Sequence, residues 1–349
     1  MDIIKEVNLV RIKTMKWLTE NIGNSNTNIN LNYYDTYKVK RVLIVRLNHR
    51  LGNQLLMTPL ITEVSEIFPN CKIDLFVKGN LAPILFKNYS NIDRIIQLPT
   101  KPFKNIRQYL KVWFEIADRK YDVVINVDRG SSSGIIATKM ATADYKFYGE
   151  PDKMLCAEYP HSAKQPVYGL RNYLSQSEKL ELNKSMPDLD LKLSKSEIKK
   201  GKELLDKLIT KEKKKSICIY TCASGEKSDQ ESWWMELYEK LKKELTDINI
   251  IEVLALENSS KISCNEPEFY SNNIREIGAL IKNTSLFIGT DSGIMQLASS
   301  VHVPTIGLFS VTDKYQYEPY NEGSLAVNTN YFSTNEIIRI IKQKINYKH

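Results

Sequence analysis

The fold is decided by the stretch LFIGTDSGIMQLA at residues 286–298, together with VPTIGLF at residues 303–309. An apolar run predicts a strand, the turn Asp291-Ser292-Gly293 predicts the start of a helix, and the run after Pro304 predicts a second strand. The first N–H groups of a helix lack intrahelical partners and lie at the positive end of its dipole. The corner of this strand–helix–strand unit therefore suits an anionic ligand such as a phosphate.

The same alternation of strands and helices runs through most of the chain. Strands that alternate with helices imply a parallel, doubly wound sheet, and 349 residues with 42% hydrophobic content are enough for two cores. The predicted fold class is α/β, with two Rossmann-like domains that face each other across a cleft. Further strands are predicted at 41–47, 72–77, 122–127, 216–221 and 248–255, and helices at 54–68, 106–117, 135–142, 195–210, 232–244, 274–283 and 334–345.

Composition shifts along the chain predict four segments. Residues 1–38 form an amphipathic helix and an Asn-rich linker, 39–190 a first domain, and 191–332 a second domain. Residues 333–349 form a closing helix, for which a crossing back onto the first domain stays open.

The formal net charge of +8 favours anionic partners: nucleotides, acidic glycans or a membrane surface. Nucleic acid is not expected, because the basic residues are dispersed and are not interleaved with stacking aromatics. The five cysteines form no CxxC pair, and this odd, scattered set predicts a reducing, cytoplasmic setting.

Membrane insertion is not expected either, since no segment reaches the roughly 18 consecutive apolar residues of a spanning helix and the N-terminus lacks a signal peptide. Residues 2–22 combine helical apolar spacing with intervening basic residues. They predict an accessory helix packed on the body or on a second subunit or, alternatively, a peripheral helix at the inner face of the cytoplasmic membrane.

Three motifs carry a family resemblance: VLIVRLNHRLGNQLLMTPL at 42–60, GEKSDQESWWMEL at 225–237, and the segment 289–309. Through them the chain resembles glycosyltransferase family 9, the bacterial lipopolysaccharide heptosyltransferases, from about residue 41 to residue 313. The resemblance implies a GT-B fold and an inverting, metal-independent transfer of a sugar from a nucleoside-diphosphate donor, by default ADP-heptose. The implied acceptor is a lipopolysaccharide, lipooligosaccharide or other surface glycan, and no cofactor is implied beyond the nucleotide sugar itself.

The resemblance also implies a donor site in the second domain. Asp291 stands where the family has the Asp of its Asp-Thr/Ser-Gly turn, and it would equally serve as a helix N-cap. Lys227 is expected to neutralise charge on the leaving nucleoside diphosphate. The expected donor-binding residues are Ser224, Lys227, Asp291, Ser292, Gly293, Gln296, Thr312 and Asp313.

Two positions depart from the family pattern. Asn53 follows Gly52 where the family has the Asp that removes the acceptor proton, and an amide cannot take that proton. Gln296 stands where the family has a His and, unlike His, cannot become positively charged. The candidate bases are therefore Asp128, which follows the strand at 122–127, and His49, and the expected catalytic residues are Asp128, His49, Asn53 and Lys227.

The acceptor is expected to contact Arg50, Gly52, Asn53 and Arg129. Asp188 and Asp190 spell a DxD pattern but lie in the interdomain connector, so we interpret them as surface residues and expect no metal site. A sugar-nucleotide epimerase or hydrolase on the same fold, and a non-catalytic binding relative, stay open as alternatives. The absence of GxGxxG after the first strand argues against an oxidoreductase.

Overall fold

The computed structural model describes residues 25, 33–100, 106–150, 160–175, 185–209, 214–221, 231–254 and 266–346. These residues form two compact units, each with its own sheet. The first unit contains the described residues up to His49, Pro59–Pro83 and Tyr89–Pro187. The second contains Arg50–Thr58, Ile84–Asn88 and the chain from Asp188 onward. The predicted domain bounds stay a prediction, and the predicted N-terminal helix at 2–22 lies outside the described residues.

The first unit has a five-stranded parallel sheet in the order β3-β2-β1-β4-β5. Its core lies where Leu43, Phe76 and Val124 of the sheet meet Val112 and Ile116 of a covering helix. The strands are β1 (Arg41–Arg46), β2 (Lys72–Lys78), β3 (Ile92–Leu98), β4 (Lys120–Asn126) and β5 (Thr142–Phe147). The helices up to residue 175 are α1 (Tyr33–Thr36), α2 (Leu51–Leu55), α3 (Thr58–Ile67), α4 (Ala82–Leu85), α5 (Ile106–Asp118), α6 (Ser132–Met140) and α7 (Lys164–Ser175). Of these, α2 belongs to the second unit, and the boundary between the units falls within α4.

The helix predicted at 54–68 is instead two helices, α2 and α3. Pro59 has no N–H to donate to the carbonyl of Leu55, four residues earlier. The Thr58 hydroxyl donates to that carbonyl instead, at 2.8 Å. The single-helix prediction is therefore wrong, and the break has a local cause.

The second unit has a six-stranded parallel sheet in the order β11-β10-β9-β6-β7-β8. Its strands are β6 (Lys215–Tyr220), β7 (Ile248–Leu254), β8 (Glu268–Tyr270), β9 (Leu286–Thr290), β10 (Thr305–Phe309) and β11 (Leu325–Asn328). The helices from residue 188 onward are α8 (Lys195–Leu208), α9 (Glu231–Glu244), α10 (Ile274–Lys282), α11 (Gly293–Ser300), α12 (Lys314–Tyr317) and α13 (Thr334–Asn346).

The closing helix α13 packs on the second unit. Ile337, Ile338 and Ile341 lie fully inside the core cluster that Trp234 and Ile288 also join. This apolar stripe holds the helix against α9 and the sheet. The predicted crossing of the closing helix back onto the first domain stays a prediction.

The strand orders fix where each sheet offers a ligand crevice. In the first unit the chain moves outward from β1 through β2 and β3 and then returns to β4. In the second it moves from β6 through β7 and β8 and returns to β9. Ligands of such sheets bind beyond the carboxyl ends of the two strands where the direction reverses. Those strands are β1 and β4 in the first unit and β6 and β9 in the second.

Among the described residues, no helix combines the length and apolar character needed to cross a membrane. Cys71 and Cys218 are free and buried, and burial raises the pKa of the Cys218 thiol to about 12.

Candidate functional site

The turn after β9 begins helix α11 at the predicted position, but its N-cap is Ser292 and not Asp291. The backbone N–H of Asp291 donates to the Leu308 carbonyl, at 3.2 Å, and Ser292 is the N-cap of the helix. Its hydroxyl accepts the N–H of Met295, at 3.1 Å. Because the first N–H groups of a helix have no intrahelical acceptor, the amides of Gly293 and Ile294 are left for a ligand.

Two glycines allow α2 and α11 to approach closely within the second unit. A Cβ on Gly293 would lie 3.0 Å from the Cβ of Leu51 and 3.1 Å from the backbone nitrogen of Gly52. A Cβ on Gly52 would lie 3.4 Å from the Cα of Gly293. The structure thus places Arg50, Gly52 and Asn53 beside the predicted donor turn, and their acceptor role stays a prediction.

Gln296 lies on the same helix and is only 3% exposed. Its Nε2 donates to the Tyr317 carbonyl at 2.7 Å, while its Oε1 has no hydrogen-bond partner among the described residues. Since Nε2 is committed to a carbonyl, the orientation of the amide is set. A buried acceptor without a partner costs free energy, so this oxygen is a candidate contact for a bound ligand.

The remaining predicted donor residues fall into two groups. Thr312 and Asp313 are exposed after β10, and Asp313 caps α12 by accepting the N–H of Tyr315 at 3.0 Å. Ser224 and Lys227 lie outside the described residues, in the segment that follows β6. Their donor-binding role stays a prediction.

The first unit has its own polar turn, after β4. Asp128 is exposed, and its Oδ1 accepts the N–H of Gly130 at 2.9 Å. Ser131 then caps α6 by accepting the N–H of Gly134 at 3.2 Å. Oδ1 is thus engaged in the turn, and the role of Asp128 as the base stays a prediction.

Sequence reasoning missed Asn126, the last residue of β4. The side chain is 1% exposed, and its Nδ2 donates to the carbonyls of Asp128 and Tyr148, at 2.9 and 3.0 Å. Its Oδ1 has no hydrogen-bond partner within the described part of the chain. Asn126 therefore fixes the backbone of the turn. The only available signal was a polar residue at the end of an apolar strand.

The basic residues near this turn differ in exposure. Arg129 is half-buried, with its guanidinium 5.8 Å from the centre of the Tyr148 ring and 3.8 Å from a Glu150 carboxylate oxygen. Burial and the Glu150 carboxylate raise the pKa of the Tyr148 hydroxyl. His49 is exposed after β1, whereas Arg46 is buried within that strand.

The connector residues that carry the DxD pattern belong to the second unit. The backbone N–H of Asp190 donates to the Thr58 hydroxyl at 3.1 Å, and its carboxylate lies 3.5 Å from Nε2 of His302. No group of three or more potential metal-ligating acids, histidines or cysteines occurs among the described residues.

Two doubly wound parallel-sheet units, with a helix start suited to a diphosphate at the reversal point of the second, are the architecture of the GT-B fold class. Residues 109–339 match the family model described as glycosyltransferase family 9 (heptosyltransferase). The chain therefore belongs to this family, and the predicted family, α/β fold class and glycosyltransferase activity are confirmed.

Individual relatives agree with this assignment. Lipopolysaccharide heptosyltransferase 3 of Escherichia coli K12 is 25% identical over 291 residues, which span 78% of this chain and 83% of the relative. A family 9 glycosyl transferase from Veillonella parvula superposes with a TM-score of 0.70 at 17% identity, covering 92% of this chain and 99% of that one. The E. coli heptosyltransferase WaaC with ADP gives 0.62 at 17% identity, covering 87% and 99%. At these identities the two structures support the fold alone.

Proposed function

We propose that the chain transfers a heptose from a nucleoside-diphosphate donor, by default ADP-heptose, to a hydroxyl of a lipopolysaccharide or related surface glycan, with inversion at the transferred carbon. The carrying observation is the start of α11, where Ser292 caps the helix and leaves two backbone amides for an anion. The relative named lipopolysaccharide heptosyltransferase 3 supports the choice of sugar, and ADP is the nucleotide that the family resemblance implies.

On the donor side, the helix start binds the diphosphate. The amides of Gly293 and Ile294 donate to its oxygens, and the Asp291 carboxylate accepts from sugar hydroxyls. As the bond to the sugar breaks, negative charge grows on the leaving diphosphate, and Lys227 neutralises it. No metal and no cofactor beyond the donor belong to this proposal.

On the acceptor side, the reaction needs a base, which Asn53 cannot be. Asp128 is our first candidate, because its exposed carboxylate lies at the reversal point of the first unit. His49, exposed after β1, is the second. A positioned base typically accelerates a reaction by roughly 10² to 10⁴. Transfer assays of Asp128→Asn and His49→Ala therefore show which of the two residues is the base. A variant that keeps near wild-type turnover removes that residue from the mechanism.

We propose that the acceptor lies at a membrane surface. The protein then acts as a peripheral protein at the inner face of the cytoplasmic membrane. Arg50 and Arg129 would meet acidic groups of the glycan. Nucleic acid is not proposed as a partner.

A thermal-shift screen of ADP, UDP, GDP, CDP and their sugars tests the donor, because a ligand that binds only the folded state raises the melting temperature. We expect ADP and ADP-heptose to give the largest shifts, and Asp291→Asn to reduce the ADP-heptose shift more than the ADP shift. Donor consumed without any acceptor would instead indicate a hydrolase or epimerase. Donor bound with no transfer to any glycan would indicate a non-catalytic relative. Asn53 and Gln296, which differ from the family pattern, are the reason for testing this alternative.

A further inference from the structure

The side chain of Asn126 is held in one orientation by three parts of the first unit. Its Nδ2 donates to the carbonyls of Asp128 and Tyr148, at 2.9 and 3.0 Å. Since both N–H groups of the amide are committed, Oδ1 faces the other way, where a Cβ on Gly134 of α6 would lie 2.5 Å from it. Only a glycine leaves room for the amide at that position of the helix.

Gly149 shows the same close approach on the other side of Asn126. It has a φ of 74°, and a Cβ there would lie 2.5 Å from the backbone carbonyl oxygen of Asn126. This glycine lets the backbone after β5 come near enough for the Tyr148 carbonyl to accept from Nδ2. Asn126 therefore ties the turn after β4 both to α6 and to the backbone after β5.

These contacts fix the backbone of Asp128 more firmly than its own turn does. The Asp128 carbonyl accepts two hydrogen bonds, one from the N–H of Ser131, at 3.0 Å, and one from Nδ2 of Asn126. A carbonyl oxygen has two lone pairs, and both are used here. Without Asn126, this carbonyl would keep only the bond from within the turn.

The same amide is unfavourable for stability. Its Oδ1 is buried and has no hydrogen-bond partner among the described residues, and an unsatisfied buried acceptor costs free energy. A local rule that is broken at a cost to stability is expected at functional sites. The position of Asn126 at the end of β4, one of the two strands at the reversal point, agrees with such a role.

We infer that Asn126 is a positioning residue for the transfer reaction, because it holds Asp128 in the place from which that residue takes the acceptor proton. Asn126 acts through the backbone of Asp128 and not on a substrate. The inference rests on the proposed role of Asp128 as the base. A reacting group displaced by about 1 Å can lose roughly 10²-fold in rate, so the loss of Asn126 should lower kcat and leave donor binding unchanged.

Steady-state transfer from ADP-heptose to a lipopolysaccharide core acceptor tests the inference with the full chain. For Asn126→Ala we expect kcat to fall by roughly tenfold to 10²-fold, while the ADP-induced thermal shift keeps its wild-type value. Asn126→Ser retains one hydrogen-bond donor and should lose less activity. It also keeps the test informative if Asn126→Ala does not fold.

Asn321→Ala is the matched control in the second unit. Asn321 is 5% exposed, and its Nδ2 donates at 3.0 Å to the carbonyl of Val303, which lies just before the amino end of β10. The control removes a buried amide of the same kind at the edge of the sheet opposite the ligand edge. It should therefore lower the melting temperature, as Asn126→Ala does, and leave kcat unchanged.

The double variant Asn126→Ala/Asp128→Asn separates positioning from a merely structural role. If Asn126 acts through the base, the double variant should transfer no more slowly than Asp128→Asn alone. Losses in kcat that multiply would overturn the inference. So would wild-type kcat in Asn126→Ala beside an impaired Asp128→Asn, a result that leaves the proposed base standing. Wild-type turnover in Asp128→Asn would instead reject the base itself, and this inference with it.

Discussion

The turns after β9 and β4 share one local design and differ in their surroundings. Each follows a buried strand with an Asp and caps the next helix with a Ser, Ser292 in one case and Ser131 in the other. Each also has a buried amide whose nitrogen is bonded to carbonyls and whose oxygen has no partner among the described residues, Gln296 in one case and Asn126 in the other.

What differs is the packing. Ser292 is buried, and Gly293 lies against the backbone of α2. In the other turn, Asp128 and Gly130 are exposed, and the nearest atom to a Cβ on Gly130 is the side-chain tip of Asp128. A local pattern thus specifies the turn, while the neighbouring helix decides whether the turn is held rigidly. We interpret the packed turn as the donor cradle and the open turn as the place where the acceptor is deprotonated.

The largest expected effect comes from changing the two aspartates in parallel. Asp128→Asn keeps an oxygen for the Gly130 N–H but cannot accept a proton, so kcat should fall by roughly 10² to 10⁴ with donor affinity unchanged. Asp291→Asn should weaken donor binding at least tenfold, because charge-assisted hydrogen bonds are about twice as strong as neutral ones. Steady-state kinetics measures the loss of kcat, and calorimetry measures the loss of donor affinity. The comparison fails if the two variants show the same defect.

The next effect concerns how the second unit holds the segment Ile84–Asn88. The Arg275 guanidinium donates to both carboxylate oxygens of Glu197, at 2.6 and 3.0 Å, and to the Leu85 carbonyl at 3.0 Å. Hydrogen bonds from Arg275 hold the pKa of the Glu197 carboxyl well below its ordinary value. Glu197→Gln should therefore cost about 2 kcal/mol of unfolding free energy at neutral pH.

That cost should depend on pH with a definite sign. The folded-state pKa lies below the unfolded value of about 4.3, so the stabilisation is complete above about pH 5 and disappears as the pH falls through the folded-state pKa. The gap between wild type and Glu197→Gln in urea unfolding should narrow on acidification. Glu244→Gln, which loses only the exposed pair with Lys342, is the control and should change little. A gap that widens in acid contradicts the assignment.

A smaller effect is expected from paired glycine substitutions. Gly293→Ala places a Cβ 3.0–3.1 Å from Leu51 and Gly52, where a backbone atom must yield. It should cost about 1–2 kcal/mol by overpacking and reduce the ADP-induced thermal shift. Gly130→Ala meets a movable carboxylate at 3.1 Å and should stay within about 0.5 kcal/mol. Equal losses in the two variants would show that the turns do not differ in rigidity.

The smallest effect concerns the unpartnered oxygen of Gln296. Gln296→Met preserves the approximate shape while removing both the bond to Tyr317 and the free acceptor, so the stability change should stay within about 1 kcal/mol. Donor affinity should fall roughly fivefold if Oε1 binds the donor, since a net hydrogen bond is worth about 1 kcal/mol. Calorimetry that shows unchanged affinity would remove Gln296 from the site.

Much of this arrangement was predictable because central strands and their helices have strong periodic signals. The unit β9–α11–β10 lies where the pattern placed it, and so do β1, β2, β6 and β7. Strands β3 and β5 were missed, since edge strands such as IDRIIQL carry exposed charges that obscure the alternation. The short edge strands β8 and β11 were missed as well.

Tertiary packing accounts for what the sequence did not predict at the site. No local signal assigns Arg50–Thr58 to the second unit, because that depends on the Gly52–Gly293 approach. The buried roles of Asn126 and Arg275 likewise depend on carbonyls distant in sequence, such as Tyr148 and Leu85. The helix start at 291–293 was anticipated because capping patterns are local features, but the cap is Ser292 and not Asp291, and the cap formed by Asp313 was not predicted.

Calorimetric titration of ADP and ADP-heptose into the wild type, Asp128→Asn and Asp291→Asn tests the central claim most directly. If the turn at 291–293 binds the donor diphosphate and sugar, the wild type and Asp128→Asn bind ADP-heptose alike, and Asp291→Asn binds it at least tenfold more weakly. Wild-type affinity in Asp291→Asn, for both ADP and ADP-heptose, would contradict the claim and place the donor elsewhere.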